Sequence, residues 1–379
     1  MSGLKEFSNN LKLSIKQKIA KIKEKLSRQI KKWYQKYAKE VDFLIIYNPK
    51  SGTLLSKDKA REIFKFLIKK KFRCLVVQTH PKKDYIPKRI KPHFILVVGG
   101  DGTLHKVVNE MIKKQIDAYL IPFSFGTGND FATTQGMSSF NFKKFVEAYE
   151  NAIKSKKFEQ IPFKYSDVGK IEYWINDKLN VLYFINSAGI NSFDAEVLKN
   201  LYNMYKRKAY SHSEYVLPLI QSIFTFKIKE YVVKYKKLKH GKKFKSKTTG
   251  FLVYNNSNHA GGTLNLPEAK IDDGFLNIIF FKPIPKWNFI KNGWLIFKQY
   301  IIERWNRELF SENGNFQEYF RNPISPRGDV VRDVFTELEV SPVYIFQCDG
   351  ELYNVQADRM RISVIPKTIK IPIFYKSEE

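Results

Sequence analysis

Residues 41–123 hold four apolar runs, "VDFLIIYNP", "FRCLVVQT", "FILVVGG" and "AYLIPF", interrupted by two helix-patterned stretches, "KDKAREIFKFLIKKK" and "TLHKVVNEMIKKQ". Short runs that are apolar at nearly every position must be covered on both faces. Strands that alternate with helices meet that need as a parallel sheet between helical layers. Loops after the carboxyl ends of such strands form the default ligand crevice.

Three of those loops share a chemistry. "NPKSG" follows the first run, Gly99-Gly100-Asp101-Gly102-Thr103 the third, and Gly126-Thr127-Gly128-Asn129 the fourth. Glycine lets main chain approach a ligand closely, and the start of a helix offers free N–H groups to an anion. The pattern is neither a Walker loop nor a spaced Gly-x-Gly-x-x-Gly. Asp101 among the glycines would repel phosphate unless a divalent cation or ordered water intervenes, so Mg²⁺ is implied. Three such loops at one sheet edge describe a nucleotide site assembled from separate strands; each alone is a weak signal, and a plain tight turn fits three glycines around one acid less well.

The chain divides by texture into residues 1–40, 41–160 and 161–379. In the first part, apolar residues recur at steps of three and four from Leu4 to Tyr37, with lysines between them. Such a basic amphipathic helix suits a membrane interface, with Trp33, Tyr34 and Tyr37 at the boundary, packing on the body of the protein, or a coiled-coil arm. The last part is strand-like: "VGKIEYW", "VLYFINSAGI", a lysine-rich stretch that His240-Gly241 is expected to turn, "GFLNIIFF", "DVVRDVFTELEVS", "VYIFQCDGELYN" and "MRISVIP". These predict a β-sandwich with one or two added helices, the C-terminal segment returning to the first domain. "WNFIKNGWLIFKQYIIERW" carries an aromatic helical stripe.

Sixty-six basic against 37 acidic residues give a net charge of +29, which points to a polyanionic partner, an anionic membrane leaflet or nucleic acid. No helix-turn-helix, zinc-finger or RNA-binding pattern supports the second, so no specific nucleic acid is expected. Two cysteines and scattered histidines leave no disulfide framework or zinc site and fit a reducing, cytoplasmic compartment. The longest apolar stretch, "YVLPLIQSIFTF", is too short to span a bilayer, so peripheral association is expected.

"YNPKSG", "VVGGDGTLHKVVNE", "PFSFGTGNDFA", "NSAGINSFDAEV", "GGTLNLPEAKIDDGFLNI" and "CDGE", in this order, resemble the diacylglycerol kinase catalytic family, which includes soluble bacterial lipid kinases, sphingosine kinases and ceramide kinases. The resemblance runs from about Phe43 to about residue 370. It implies a phosphofructokinase- and NAD kinase-like α/β domain followed by a β-sandwich, with ATP and lipid meeting in the cleft. It also implies that Asn48, Pro49, Lys50, Ser51, Gly52, Thr79, Gly99, Gly100, Asp101, Gly102, Thr103, Thr127 and Asn129 line the nucleotide site. Asp273 would hold Mg²⁺ with the carbonyls of Lys270 and Phe275, and Glu351 would be the general base, with Asp101 beside it. The carboxylates at 101, 273 and 351 are then expected to converge.

The chain departs from the family pattern at Lys106, where Glu is usual, at Glu110, in a neighbourhood that has Gly, and at Thr133, where Arg is usual. One turn into the helix, Lys106 is expected to touch the nucleotide. The implied activity is phosphorylation of diacylglycerol to phosphatidic acid. A sphingoid base, ceramide or monoacylglycerol is the alternative acceptor, and a catalytically weak membrane-binding module the alternative class. A homodimer is compatible with the sequence.

Overall fold

The computed structural model describes residues 40–51, 56–126, 128–137, 140–206, 212–227, 229–237, 240–248, 250–259, 264–265, 269–281 and 330–373. The N-terminal stripe and the aromatic stretch at 287–305, together with Gly52 and Thr127, lie outside these residues.

Strands β1 (Glu40–Tyr47), β2 (Cys74–Gln78), β3 (Lys91–Gly99) and β4 (Tyr119–Ser124) pair in parallel in the order β2-β1-β3-β4. Helices α1 (Ser56–Lys69) and α2 (Asp101–Lys113) are the crossovers. Both faces of the strands are buried, which explains the continuous apolar runs. Phe43, Ile45, Phe94, Leu96 and Val98 face one core with Ile63 and Leu67 of α1. Leu44, Ile46, Ile95 and Val97 face the other with Leu104, Val107, Val108 and Met111 of α2. Short helices follow: α3 (Asp130–Thr134), α4 (Phe142–Ala148) and α5 (Glu150–Ser155).

Beyond residue 160 the pairing becomes antiparallel. Strands β5 (Phe163–Ile175), β6 (Lys178–Phe184) and β7 (Ser187–Ile190) lead into helices α6 (Phe193–Tyr205) and α7 (Val216–Thr225). Next come β8 (Lys229–Lys237), β9 (His240–Thr248), β10 (Phe251–Tyr254), the two-residue pair β11 (Asn258–His259) and β12 (Leu264–Asn265), and β13 (Leu276–Phe281). The chain ends with β14 (Val330–Phe335), β15 (Glu337–Ser341), β16 (Phe346–Cys348), β17 (Glu351–Tyr353) and β18 (Arg359–Pro372). A six-stranded sheet runs β14-β13-β10-β7-β16-β17. Its Ala188, Ile190, Phe251, Val253, Ile278 and Phe346 share one core with Ile171, Val233, Leu338 and Ile362 from the larger sheet.

The larger, ten-stranded sheet is continuous because β18 serves both halves. Its first residues pair with β15 and β5, and Lys370 then pairs in parallel with Tyr119 of β4. The register slips between Ile365 and Ile369. Pro366, the last residue of the strand-like run "MRISVIP", sits in that irregularity, where a residue without an N–H is tolerated, and the strand continues beyond it to Pro372. His240 and Gly241 do not form the turn between β8 and β9. Both lie inside β9, opposite Lys237 and Lys236.

Candidate active site

Helix α2 begins directly at the end of β3, with Gly100 as its N-cap and no side-chain cap. Its amino end is left for an anion, and its thirteen residues give the dipole enough length to matter. The glycines are required by contact. A Cβ on Gly100 would sit 2.8 Å from the Gly126 Cα, and one on Gly126 would sit 2.4 Å from the Gly100 Cα, so the second and third loops touch main chain to main chain.

The first loop is tied to the same place. Asn48 Nδ2 donates to Thr103 Oγ1 at 3.0 Å, and its Oδ1 accepts from Lys50 N at 3.0 Å. Ser51 Oγ and Ser56 Oγ donate to the Asn48 carbonyl. Asn129, at φ 57°, closes its own loop by pairing its side-chain amide with both the N–H and the carbonyl of Gly126. Asn48 and Asn129 thus shape the cradle more than they line it. Thr79 N bonds the Tyr47 carbonyl, which fixes it beyond the end of β1 and β2, and its side chain meets the Tyr85 hydroxyl.

Glu351 arrives from the other end of the chain. Its Oε1 lies 2.7 Å from where a Gly102 Cβ would be, so the carboxylate stands over the first turn of α2 and a side chain at 102 would push it aside. Asp101, one residue earlier, accepts from Asp130 N at 3.2 Å and from Asn186 Nδ2 at 3.2 Å. Burial first, and the Asp130 carboxylate second, push the Asp101 pKa up to about 6.

Asp349 sets the position of Glu351. Its buried carboxylate accepts from Ile185 N (3.1 Å), Asn186 N (2.8 Å) and Ser187 N (3.2 Å), and pairs with His105 Nδ1 at 2.9 Å. His105 Nε2 reaches the Tyr353 hydroxyl at 3.2 Å. The turn between β16 and β17 is thereby pinned to α2 on one side and to the start of β7 on the other. His105, Cys348 and Asp349 cluster closely enough to suggest a metal. The donors already on Asp349, and burial that drives the Cys348 thiol far from ionisation, make the cluster a poor ligand set.

Asp273 belongs to a different turn. Its Oδ1 accepts from Phe275 N at 3.0 Å, and the next N–H, of Gly274, goes to Asp167 Oδ2 at 2.7 Å. Glu351 stands at Gly102, the Asp101 carboxylate turns to Asp130 N and Asn186, and Asp273 connects to Asp101 through a chain of polar groups. The Asp167 carbonyl accepts from Asn255 Nδ2, Asn255 N donates to the Asn186 carbonyl, and Asn186 reaches Asp101. Burial, then the carboxylates of Asp167 and Asp272, raise the Asp273 pKa despite the Phe275 N–H. Hard oxygen donors in a negative field are what Mg²⁺ favours, so the Asp273 carboxylate, beside Asp167 and Asp272, fits a magnesium ion chemically.

Lys106 does not face the glycine loop. Its ammonium donates to the carbonyls of Lys83 (3.0 Å) and Pro81 (3.4 Å) and lies 4.1 Å from the centre of the Tyr85 ring. Glu110 works on the same segment, accepting from Tyr85 N and Ile86 N at 2.8 Å each. Both departures from the family pattern therefore secure the loop after β2, and Thr133 is exposed on α3. Asn186, Asp349 and His105 escaped the sequence reading. Their only signal was that they stand inside or beside quoted motifs.

Residues 42–159 match the family described as the diacylglycerol kinase catalytic domain. The match spans 118 of the 379 residues, a likeness of this stretch to that family. A diacylglycerol kinase of Bacillus subtilis (strain 168) is 25% identical over 258 residues, 65% of this chain and 76% of that protein. A Staphylococcus carnosus (strain TM300) protein named as a candidate lipid kinase is 26% identical over 188 residues, 49% of this chain. The aligned part spans about half, 53%, of that relative's length. The solved structure of a diacylglycerol kinase from Bacillus anthracis (Sterne) covers 89% of this chain and 97% of its own, with TM-score 0.52 and 19% identity, a likeness of fold. The match to the diacylglycerol kinase catalytic domain thus covers the stretch that holds the three glycine-rich loops, while Glu351 and Asp349 come from beyond it.

Proposed function

We propose that this protein is an ATP-dependent lipid kinase that transfers the γ-phosphoryl group to the hydroxyl of diacylglycerol, giving phosphatidic acid and ADP. The observation that carries the reading is the carboxylate of Glu351 standing over Gly102, at the mouth of a helix whose main-chain N–H groups suit phosphates. A base and an anion cradle in one place are the requirements of phosphoryl transfer to an alcohol, which asks for positioning and charge stabilisation more than covalent chemistry. Glu351 takes the proton from the lipid hydroxyl as its oxygen bonds to the γ-phosphorus. The bond from that phosphorus to the β–γ bridging oxygen breaks, and ADP leaves. Asp101 and Asn186 hold the helix mouth beside this path. A bound Mg²⁺ supplies charge neutralisation, and Asp273 with the carbonyls of Lys270 and Phe275 are the residues that would hold one. The Bacillus subtilis relative's name favours diacylglycerol as acceptor.

The test is a labelled-ATP assay over diacylglycerol, monoacylglycerol, ceramide and a sphingoid base, with wild type and Glu351→Gln. Labelled phosphatidic acid is expected from wild type, with kcat lower by ~10²–10⁴ in the variant and little change in the KM for ATP. Labelling of a different lipid would move the assignment to that acceptor. No labelled lipid at all, or equal rates in the two proteins, would end the kinase reading. The net charge of +29 further favours a cytoplasmic protein that works peripherally at an anionic membrane.

A further inference from the structure

Helix α7 faces the wrong way for a helix of a globular core. It buries Pro218 and Ser222 while Leu217, Ile220 and Phe224 are 59%, 45% and 67% exposed. An amphipathic helix ordinarily buries its apolar stripe, and here the stripe points to solvent. Polar contacts hold it so. Asn200 Nδ2, buried on α6, donates to Ser222 Oγ at 2.8 Å and to Thr225 Oγ1 at 3.2 Å. Ser222 Oγ in turn donates to the Pro218 carbonyl at 2.7 Å, and Phe226 packs edge-on against Phe193 at the base of α6. At the far end of α6, Tyr202 and Met204 extend the patch. Five of the seven large apolar residues exposed among the described ones lie on this hairpin, so random scatter does not account for it.

The surroundings say what could cover the patch. Lys206 after α6 and Lys227 after α7 are both exposed, and residues 227–247 contain ten lysines against one acid, Glu230. A second copy of this surface would bring like charges together, whereas anionic headgroups would neutralise them. The hairpin is also joined to the candidate site. Asp194, in the first turn of α6, accepts from Gln347 Nε2 at 2.8 Å, and Gln347 Oε1 accepts from Gly350 N, the neighbour of Glu351.

We propose that the α6–α7 hairpin is the membrane-docking face of this protein: Leu217, Ile220 and Phe224 enter the interface of an anionic bilayer while the flanking lysines meet its headgroups. The proposal rests on the lipid-kinase reading for why a bilayer is the partner, and it orients the base-bearing turn toward the surface from which the acceptor comes. Flotation of the full chain with phosphatidylcholine vesicles, with and without phosphatidylglycerol, compares wild type with the triple variant Leu217→Ser, Ile220→Ser, Phe224→Ser. The variant is expected to partition at least about tenfold more weakly, since three apolar side chains no longer leave water. Equal partition overturns the proposal, as does a variant that changes only from dimer to monomer on gel filtration. Phe224→Trp provides a readout independent of any folding defect in the triple variant. Its added fluorescence over wild type should be quenched by brominated anionic vesicles, and an unquenched signal overturns the proposal. Activity of the triple variant on detergent-dispersed lipid separates the two ideas. Retained activity with lost flotation supports docking, while flotation without activity in wild type would sink only the kinase reading.

Discussion

At the scale of the residue, two positions separate chemistry from stability. Gly102→Ala would place a methyl group 2.7 Å from Glu351 Oε1, and what must yield is the far end of a flexible side chain rather than main chain. Its stability cost should therefore stay below ~1 kcal/mol, near that of an ordinary surface change, while turnover falls more than tenfold because the base is displaced. Thermal unfolding and kcat on the same preparation check both halves. Asp101 makes the opposite case. Its folded pKa of about 6 lies above the ordinary 3.8, so the folded state binds the proton more tightly than the unfolded chain. Ionising it opposes folding, a penalty absent below the ordinary carboxylate range and complete once pH rises past 6. Asp101→Asn removes that penalty. Its Tm relative to wild type should climb between pH 4 and pH 7, even as activity drops by ~10² or more through loss of the ordered helix mouth. A Tm difference flat across that range would show that the carboxylate is not strained by burial.

At the scale of the element, the arrangement depends on turns more than on the strands that carry them. Asp349 uses one carboxylate to gather three successive main-chain N–H groups, Ile185, Asn186 and Ser187, and the His105 ring. Asp349→Asn turns an NH₂ group toward donors inside a buried site. A loss of ~1–3 kcal/mol is expected, the cost of a buried polar group left without its partner. The readouts are urea unfolding and a fall in kcat larger than any change in the KM for ATP. Glu110 and Lys106 show the same logic on the loop after β2. Residues at odds with the family pattern there clamp a loop through its own N–H and carbonyl groups. The sequence could expose the departure but not its purpose, because the partners are main-chain atoms about twenty-five positions away.

For the whole molecule, β18 is the strand that makes two cores into one body. Ile369 and Ile371 fill the nucleotide-side core, while Met360 and Ile362 fill the core between the sheets. Ending the chain after Pro366 removes the first pair and uncovers the edge of β4 at Tyr119. Each buried isoleucine contributes ~2–5 kcal/mol, so the truncated protein should unfold well below the intact one or fail to remain soluble. Scanning calorimetry of the two chains decides this, and an unchanged Tm would mean that the return of β18 is dispensable. No helix among the described residues is long and apolar enough to cross a membrane.

The sequence by itself determined whatever depends on near neighbours. Apolar runs covered on both faces required the parallel sheet, and the glycines at 99, 100 and 102 marked where main chain must stay uncovered. The alternating strands beyond residue 160 foretold the antiparallel part, although Pro366 hid how far β18 continues. Tertiary structure alone decided what stands beside what. It brought Glu351 over Gly102 across about 250 positions, joined Asp349 to His105, and left Asp273 on a turn of its own. It also turned the apolar side of α7 outward. A periodic stripe shows that a helix has two faces, and only the polar contacts of Asn200 and Ser222 fix which of them meets the solvent.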